Sequence, residues 1–246
     1  MRVADLPSPP PFDRLLAEAP VALFLDFDGT LVELAATPAD ITVPARIGHA
    51  LARLAHKLDG RLALVSGRAI EDLEAHCGPL EIDCAGSHGA ERRGADGGVL
   101  GRAPEALPQA LLDEIDRFAR IKGVRYEHKP HGAALHSRAA PELERDCALF
   151  MRGLADEHGL VLKHGKRVAE LVRPGADKGQ AVRAFMDDSP FAGSVPVFIG
   201  DDVTDEDGFA ACAALGGFAV AVGPRPSGTA SFHLADPAAV RDWLGL

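Results

Sequence analysis

The stretch VALFLDFDGTL, residues 21–31, is the part of the sequence that decides the fold. Its apolar first half predicts a buried parallel strand, and the Asp-Phe-Asp-Gly-Thr that follows predicts an abrupt turn where that strand ends. Side chains two residues apart on a strand share one face. We therefore expect Asp26 and Asp28 to point together beyond the strand, and Phe27 to pack on the opposite side.

The pair Asp26 and Asp28 indicates a cation site or a shared proton, because two carboxylates held a few ångströms apart repel each other. Gly29 allows the sharp turn, and the Thr30 hydroxyl can hold one carboxylate by a hydrogen bond. Carboxylate oxygens suit Mg2+, which usually completes its shell with waters and substrate phosphate. The alternative interpretation is a tight turn with two solvated aspartates.

The composition is that of an ordinary globular protein with an acidic balance of charge. The 246 residues are 47% hydrophobic and 25% charged, and the formal net charge is -10. This length allows one large domain or two modest ones. The negative net charge argues against nucleic acid or an anionic membrane as a partner, because binding to either depends on a basic surface.

Cysteine usage and the amino terminus predict a cytoplasmic protein. The four cysteines, at positions 77, 84, 147 and 212, show no C-x-x-C spacing. We therefore expect reduced core thiols rather than a zinc site or disulfides. No apolar run is long enough to span a bilayer, and the first dozen residues lack the apolar core of a signal peptide. We expect those residues to form a loose arm.

Strands and helices alternate on both sides of a segment whose order is different. The alternation predicts a doubly wound parallel sheet, with ligand bound beyond the carboxyl ends of its strands. Between residues 102 and 173 the order helix, strand, strand, helix, strand, strand predicts an antiparallel insertion. The expected fold class is α/β, with a core formed by residues 1–101 and 174–246 and an inserted α+β domain at 102–173.

Four polar residues follow predicted parallel strands and should meet at one edge of the sheet: Asp26, Asp28, Ser66 and Asp201. Ser66 precedes a helix, where a hydroxyl and free N–H groups can bind phosphate; the alternative is an ordinary N-cap serine. The acidic run 201–207 indicates either a metal site or a solvated helix start. Lys178 begins a helix, which is an unfavourable place for a cation, so we expect it to neutralise a nearby anion unless it is a surface lysine.

Four motifs in this order resemble those of the haloacid dehalogenase (HAD) superfamily of phosphoryl-transfer enzymes: DFDGTL at 26–31, SGR at 66–68, a lysine at 178 and GDDVTDED at 200–207. Further motifs resemble the trehalose-6-phosphate phosphatase family within it: GSHGAERR at 86–93, E-x-K at 127–129, L-H-x-R at 135–138, GKRVAELVRP at 165–174 and ADKG at 176–179. The resemblance covers nearly the whole chain. It implies a Rossmann-like HAD core, with the insertion as a substrate-covering cap.

The resemblance implies a magnesium-dependent phosphoric monoester hydrolase that converts trehalose 6-phosphate to trehalose and phosphate. Asp26 would form an aspartyl-phosphate, and Asp28 would act as general acid and then general base. Mg2+ would be held by Asp26, the Asp28 backbone carbonyl and Asp201. Asp202 and Asp205 would lie farther from the ion.

The resemblance also implies two sets of binding residues. The phosphoryl group would be held by Thr30, Ser66, Gly67 and Lys178. The cap would bind the sugar hydroxyls through charged side chains, which form stronger hydrogen bonds than neutral ones: Glu127, Lys129, Arg138, Lys166 and Glu170. The alternative for these five is a polar strand face. Ser137 stands where relatives often carry tyrosine, and Arg68 and His88 match motif positions without a definite role.

Three other interpretations stay open. The substrate can be another sugar phosphate, such as sucrose phosphate or mannosyl-3-phosphoglycerate. A catalytically silent sugar-phosphate sensor has the same fold, although binding alone does not need the acid Asp28. A phospho-accepting receiver module combines similar residues, but it is shorter and needs no insertion. In the favoured interpretation the partner is a small-molecule substrate and the protein is a monomer that binds neither nucleic acid nor membrane.

Overall fold

The computed structural model of the protein describes residues 6–35, 41–100, 106–129, 131–165 and 167–246. The chain divides into two compact units, one formed by Met1–Ala103 with Asp177–Leu246 and the other by Pro104–Ala176. The boundaries expected from the sequence, 101/102 and 173/174, lie close to those of the two units.

The helices and strands of the described residues have the following bounds. The helices are α1 (Phe12–Glu18), α2 (Ile47–Lys57), α3 (Ile70–Cys77), α4 (Gln109–Lys122), α5 (Glu144–His158), α6 (Lys178–Met186), α7 (Glu206–Ala214) and α8 (Pro237–Leu244). The strands are β1 (Val21–Leu25), β2 (Leu62–Val65), β3 (Asp83–Gly86), β4 (Glu91–Arg93), β5 (Arg125–Lys129), β6 (Gly132–His136), β7 (Val161–Gly165), β8 (Val168–Val172), β9 (Val195–Gly200), β10 (Phe218–Val222) and β11 (Phe232–Leu234).

The first unit contains a seven-stranded sheet in the order β11-β10-β9-β1-β2-β3-β4. Every neighbouring pair from β11 to β3 is parallel, which confirms the predicted doubly wound sheet. The edge strand β4 was not predicted, and it runs antiparallel to β3. Its three residues are Glu-Arg-Arg, and such a short charged segment carries none of the apolar pattern that identifies a strand.

The strand β1 is apolar throughout because both faces of the sheet are covered. Its five side chains are at most 3% exposed. Leu23 and Leu25 pack into the cluster on one side of the sheet, and Phe24 packs into the cluster on the other side. Phe24 stacks on Phe191 with ring centroids 5.6 Å apart. Asp26 follows this strand directly and is itself only 4% exposed, so a carboxylate lies at the edge of the core.

The amino-terminal segment is tied to the first unit, so the expectation of a loose arm is wrong for residues 6–12. The Trp243 indole N–H donates to the Pro10 carbonyl at 2.8 Å, and the His233 amide donates to the Pro7 carbonyl at 3.0 Å. Phe12 is 4% exposed and lies 5.0 Å from the Trp243 ring. These contacts join sequence-distant residues, which a local reading of a proline-rich segment does not detect.

The second unit contains an antiparallel four-stranded sheet in the order β5-β6-β8-β7, as the insertion was expected to have. Alternate residues of β6 and β8, such as Leu135 and Leu171, pack with α4 and α5 in one apolar cluster. The residues between them point to the opposite face of the sheet. On that face Ala134 of β6 lies between Glu127 of β5 and Glu170 of β8. Charged residues are thus collected on the sheet face that does not pack on the helices.

Two further observations concern the cysteines and the character of the helices. The four cysteines are free, and Cys84, Cys147 and Cys212 are buried. No helix in the described part of the chain combines the length and apolar character needed to cross a membrane.

Replacing Phe24 with alanine should lower the free energy of unfolding by about 3–5 kcal/mol, because the lost side chain leaves a cavity in a close-packed core. Denaturant unfolding of the purified protein measures this change. The control is Val99→Ala, since Val99 is 68% exposed. The packing account is contradicted if the two variants lose the same stability.

Candidate active site

The candidate active site lies where β9, β1 and β2 end, since these three strands are neighbours in the sheet. Asp26 follows β1, Ser66 follows β2 and Asp201 follows β9. The carboxyl ends of parallel strands lie at the same edge of the sheet, which brings these turns together. Lys178, the first residue of α6, reaches the same edge.

The Lys178 ammonium joins two buried carboxylates. It donates to Asp26 Oδ1 at 2.7 Å and to Asp205 Oδ1 at 2.6 Å. Lys178 and Asp26 are 2% and 4% exposed, and Asp205 is fully buried. Burial alone would lower the pKa of Lys178, but the charges of Asp205 and Asp26 raise it above its ordinary value, so the ammonium stays protonated. Lys178 therefore has the anionic partners that its position at a helix start predicted.

A third carboxylate, that of Asp201, completes an acidic cluster. One oxygen each of Asp26, Asp201 and Asp205 lies within 4.8 Å of the others. The predicted hydrogen bond of Thr30 to a carboxylate is present, and its acceptor is Asp201 Oδ1 at 3.2 Å. Burial and the charge of Asp205 raise the pKa of Asp201 to about 7. Burial, with the charges of Asp205 and Asp201, also raises the pKa of Asp26 well above its ordinary value, although Lys178 opposes this effect.

Two glycines allow these carboxylates to lie so close to the backbone. Gly29 has a φ of +79°, and a Cβ there would lie 2.2 Å from Asp201 Oδ2. A Cβ at Gly200 would lie 2.3 Å from the Asp205 carboxyl carbon. Any other residue at Gly29 would be strained by its backbone conformation and would displace Asp201.

The donor set fits a divalent cation with a preference for oxygen ligands. Three carboxylates face one ammonium, so the cluster carries an excess of negative charge that a cation would neutralise. Asp205, which we expected farther from the ion, has an oxygen within the same cluster as Asp26 and Asp201. Asp202 contributes its backbone amide, which donates to Asp205 Oδ2 at 2.8 Å.

The turn after β2 contains Ser66 and Gly67, and it lies against His88, a residue with a positive φ. Ser66 is 1% exposed and its hydroxyl oxygen accepts the Arg68 amide at 3.2 Å. The residue that caps α3 is Ala69, so the alternative of an N-cap serine is wrong. His88 has a positive φ of 59°, and a Cβ at Gly67 would lie 2.7 Å from the His88 ring. Gly67 is thus required because the imidazole lies directly against its backbone.

Asp26 and Asp28 face different cations. Asp26 binds Lys178, whereas both oxygens of Asp28 accept hydrogen bonds from Arg68, at 2.6 and 2.8 Å. Phe27 between them is fully buried, as predicted. Sequence reasoning assigned no role to Arg68, because the side chain that it meets is 40 residues away.

The second unit carries its charged residues as pairs. Lys129 lies 2.9 Å from Glu170 Oε1, and the His136 ring lies 2.5 Å from Glu127 Oε2. Arg138 is exposed beyond the end of β6, and Lys166 lies outside the described residues. The sequence motifs did not single out His136 as a site residue. Alternation along the strand from Ala134 nevertheless places His136 on the same face of the sheet.

The profile of the trehalose-phosphatase family matches residues 24–237. The chain belongs to this family. A curated relative, trehalose-6-phosphate phosphatase of Escherichia coli (strain K12), is 38% identical over 229 residues, which cover 92% of this chain and 86% of the relative. Membership of the trehalose-phosphatase family confirms the resemblance found in the motifs.

Solved structures agree with the expected fold. The C-terminal domain of Candida albicans trehalose-6-phosphate phosphatase is similar with a TM-score of 0.79 and 24% identity, covering 98% of this chain and 97% of that domain. A phosphatase of the HAD superfamily from Bacteroides thetaiotaomicron is similar with a TM-score of 0.60 and 18% identity, covering 93% and 94% of the two chains. The trehalose-phosphatase family member described here therefore has the HAD fold.

The acidic cluster predicts a particular pH dependence of stability for the metal-free protein. Asp201 has a pKa of about 7 in the folded state, above the value of 3.8 for an unperturbed aspartate. Between these values the folded state binds more protons than the unfolded chain, so the free energy of unfolding should fall as the pH rises from about 4 to about 7. Asp201→Asn should reduce this slope, and saturating Mg2+ should also reduce it.

Thermal unfolding of the metal-free protein across this pH range tests the prediction. The control is Asp59→Asn, since the Asp59 side chain is 78% exposed. If the stability of Asp201→Asn falls with pH as steeply as that of Asp59→Asn, the acidic cluster is not the cause of the pH dependence.

Proposed function

We propose that the protein is a magnesium-dependent phosphatase that hydrolyses trehalose 6-phosphate to trehalose and phosphate. Membership of the trehalose-phosphatase family supports the reaction and the substrate. The single observation that carries the chemistry is the buried Asp26 carboxylate, held by Lys178 beside two further carboxylates. A nucleophile must be held in a fixed position, and its surroundings must allow a negatively charged phosphate to approach it.

Asp26 is the proposed nucleophile. Its Oδ1 is fixed by Lys178, while Asp205 holds the other side of the same ammonium. Attack of the Asp26 carboxylate on phosphorus forms an aspartyl-phosphate as the bond to the sugar oxygen breaks. Asp28 donates a proton to that oxygen and then accepts a proton from the water that hydrolyses the aspartyl-phosphate.

Asp26, Asp201 and the Asp28 backbone carbonyl are the proposed magnesium ligands. Carboxylate oxygens are the ligand type that this ion prefers, and the close spacing of Asp26, Asp201 and Asp205 supports a cation there. When bound, magnesium supplies positive charge that offsets the repulsion between the nucleophile and the phosphate. Asp205 supports the ligands through Lys178, and Asp202 supports Asp205 by donating its backbone amide to Asp205 Oδ2.

The phosphoryl group is held, in this proposal, by groups around Asp26: Thr30, Ser66, Gly67 and Lys178. Ser66 and Thr30 supply hydroxyls, and Gly67 supplies a backbone amide. Lys178 remains charged in the buried site, so it can interact with a phosphate oxygen while it positions Asp26.

The second unit is proposed to bind the disaccharide through Glu127, Lys129, Arg138, Lys166 and Glu170. The pairing of Lys129 with Glu170 offers donors and an acceptor to neighbouring sugar hydroxyls. The His136 contact lowers the pKa of Glu127, so that this side chain is an ionised acceptor. The Ser137 amide donates to the Arg167 carbonyl at 3.0 Å, which joins the segment after β6 to the residue before β8.

We further propose that the protein acts as a cytoplasmic monomer. Four free cysteines are compatible with a reducing compartment, and the proposed catalytic groups all come from one chain. The net charge of -10 supports a small-molecule substrate and no nucleic acid or anionic membrane as partner.

Phosphate release from a panel of phosphate esters tests the function. With Mg2+, trehalose 6-phosphate should be hydrolysed with a higher kcat/KM than sucrose phosphate, mannosyl-3-phosphoglycerate or para-nitrophenyl phosphate. A chelator should abolish turnover. Asp28→Asn should lower kcat by about 10²–10⁴-fold, and Asp26→Asn should lower it at least as much.

The control for these variants is Asp13→Asn, which should retain full activity because its side chain is 85% exposed. A preference for one of the other sugar phosphates would change the substrate and keep the chemistry. Binding of trehalose 6-phosphate without turnover would identify a sensor instead.

Removing a charge from the polar face of the second unit should affect only the sugar-bearing substrate. We expect Lys129→Met and Glu127→Gln each to lower kcat/KM for trehalose 6-phosphate by about 10–100-fold, since a hydrogen bond to a charged group contributes about 1.5–3 kcal/mol. Hydrolysis of para-nitrophenyl phosphate should change little. Lys122→Met is the matched control, because Lys122 pairs with Asp146 on the helices. Equal losses with both substrates would argue against a sugar-binding role.

A further inference from the structure

Arg68 holds both oxygens of the Asp28 carboxylate. Its Nε lies 2.6 Å from Asp28 Oδ2 and its Nη2 lies 2.8 Å from Asp28 Oδ1. Two parallel hydrogen bonds of this kind fix the orientation of a carboxylate as well as its position, which a single contact does not. The two residues follow β1 and β2, so this contact connects the turns of two neighbouring strands.

Arg68 is itself held from three directions. Its Nη1 donates to Asp72 Oδ2 at 2.6 Å, one turn later in α3. Its backbone amide donates to Ser66 Oγ at 3.2 Å, and its carbonyl accepts the Ser87 amide at 2.7 Å. The Arg68 side chain is 8% exposed, whereas that of Asp28 is 29% exposed. Arg68 is therefore the fixed member of the pair, and Asp28 is the member with room to move.

The two contacts bear directly on proton transfer. In the first step the bond from phosphorus to the sugar oxygen breaks, the bond from phosphorus to Asp26 forms, and Asp28 gives its proton to the sugar oxygen. In the second step a water oxygen bonds to phosphorus, the bond to Asp26 breaks, and Asp28 takes a proton from that water. The two hydrogen bonds from one guanidinium hold the carboxyl group of Asp28 in one orientation, so they set the direction in which it meets that proton.

We propose that Arg68 is a positioning residue, which aims the carboxyl group of Asp28 at the transferred proton through its two hydrogen bonds. The inference rests on the proposed function, because it requires that Asp28 transfers the proton. Asp72 gives the guanidinium a second carboxylate partner, which helps to hold the Arg68 side chain in position. A purely structural ion pair between two turns would stabilise the fold without regard to the leaving group.

The test compares leaving groups under single-turnover conditions, where release of the first product reports only the first step. The sugar alkoxide of trehalose 6-phosphate needs a proton, whereas para-nitrophenolate is a stable anion that leaves without one. Arg68→Gln should slow trehalose release by about 10–100-fold, as expected for a displaced catalytic group, and should slow para-nitrophenol release several-fold less. Arg68→Lys, which retains the positive charge but not the planar two-donor geometry, should restore part of the loss.

A double-mutant cycle separates positioning from structure. In the Asp28→Asn background, Arg68→Gln should add less than about a twofold loss in trehalose release, because the group that Arg68 aims is already removed. Asp72→Asn should give a smaller loss in the same direction. Arg61→Gln is the matched control, since Arg61 pairs with Asp59 and the Val21 carbonyl before the strands, and it should leave both rates unchanged.

Three outcomes would overturn the inference: equal losses with both substrates, losses that multiply in the cycle, or no effect of Arg68→Gln. Unfolding temperatures accompany every variant, and if Arg68→Gln does not fold, Arg68→Lys and Asp72→Asn take its place in the same comparison. Failure of the proposed function has a different signature, namely a wild-type protein that does not hydrolyse trehalose 6-phosphate at all.

Discussion

The ammonium of Lys178 between Asp26 and Asp205 is the interaction on which the candidate site depends. All three groups are almost completely buried, so each charge would be costly without the others. The ammonium leaves the cluster with excess negative charge once Asp201 is included, and that excess makes a cation favourable. A single residue at the start of a helix thus holds Asp26, the proposed nucleophile, and contacts Asp205 in the acidic turn after β9.

The sheet topology explains how residues far apart in sequence reach this ammonium. β1 is flanked by β9 and β2, so the turns bearing Asp26, Asp201 and Ser66 are adjacent although their positions span most of the chain. The second unit is built on a different principle, with an antiparallel sheet whose one face packs on two helices and whose other face is charged. Phosphoryl chemistry and sugar recognition are therefore proposed to reside in units with separate cores.

The local sequence pattern was sufficient to predict the parallel sheet, the antiparallel insertion and the polar residues at the strand ends. The apolar run before Asp26 predicted a buried strand, and the unusual position of Lys178 at a helix start predicted a nearby anion. What was missed depends on contacts between distant residues or on very short elements. The binding of Pro10 by Trp243, the pairing of Asp28 with Arg68 and the approach of Asp205 to Asp26 are set by tertiary packing, and β4 is a charged tripeptide. None of these leaves a periodic signal in the sequence.

The central claim is that Asp26 becomes covalently phosphorylated during turnover. The most direct measurement is rapid mixing of the enzyme and Mg2+ with trehalose 6-phosphate labelled in its phosphate, followed by an acid quench within one turnover and peptide mapping of the label. The account predicts transient label on the peptide that contains Asp26, lost at later times as phosphate is released. Label on another residue, or single turnovers that complete without any labelled protein, would contradict it.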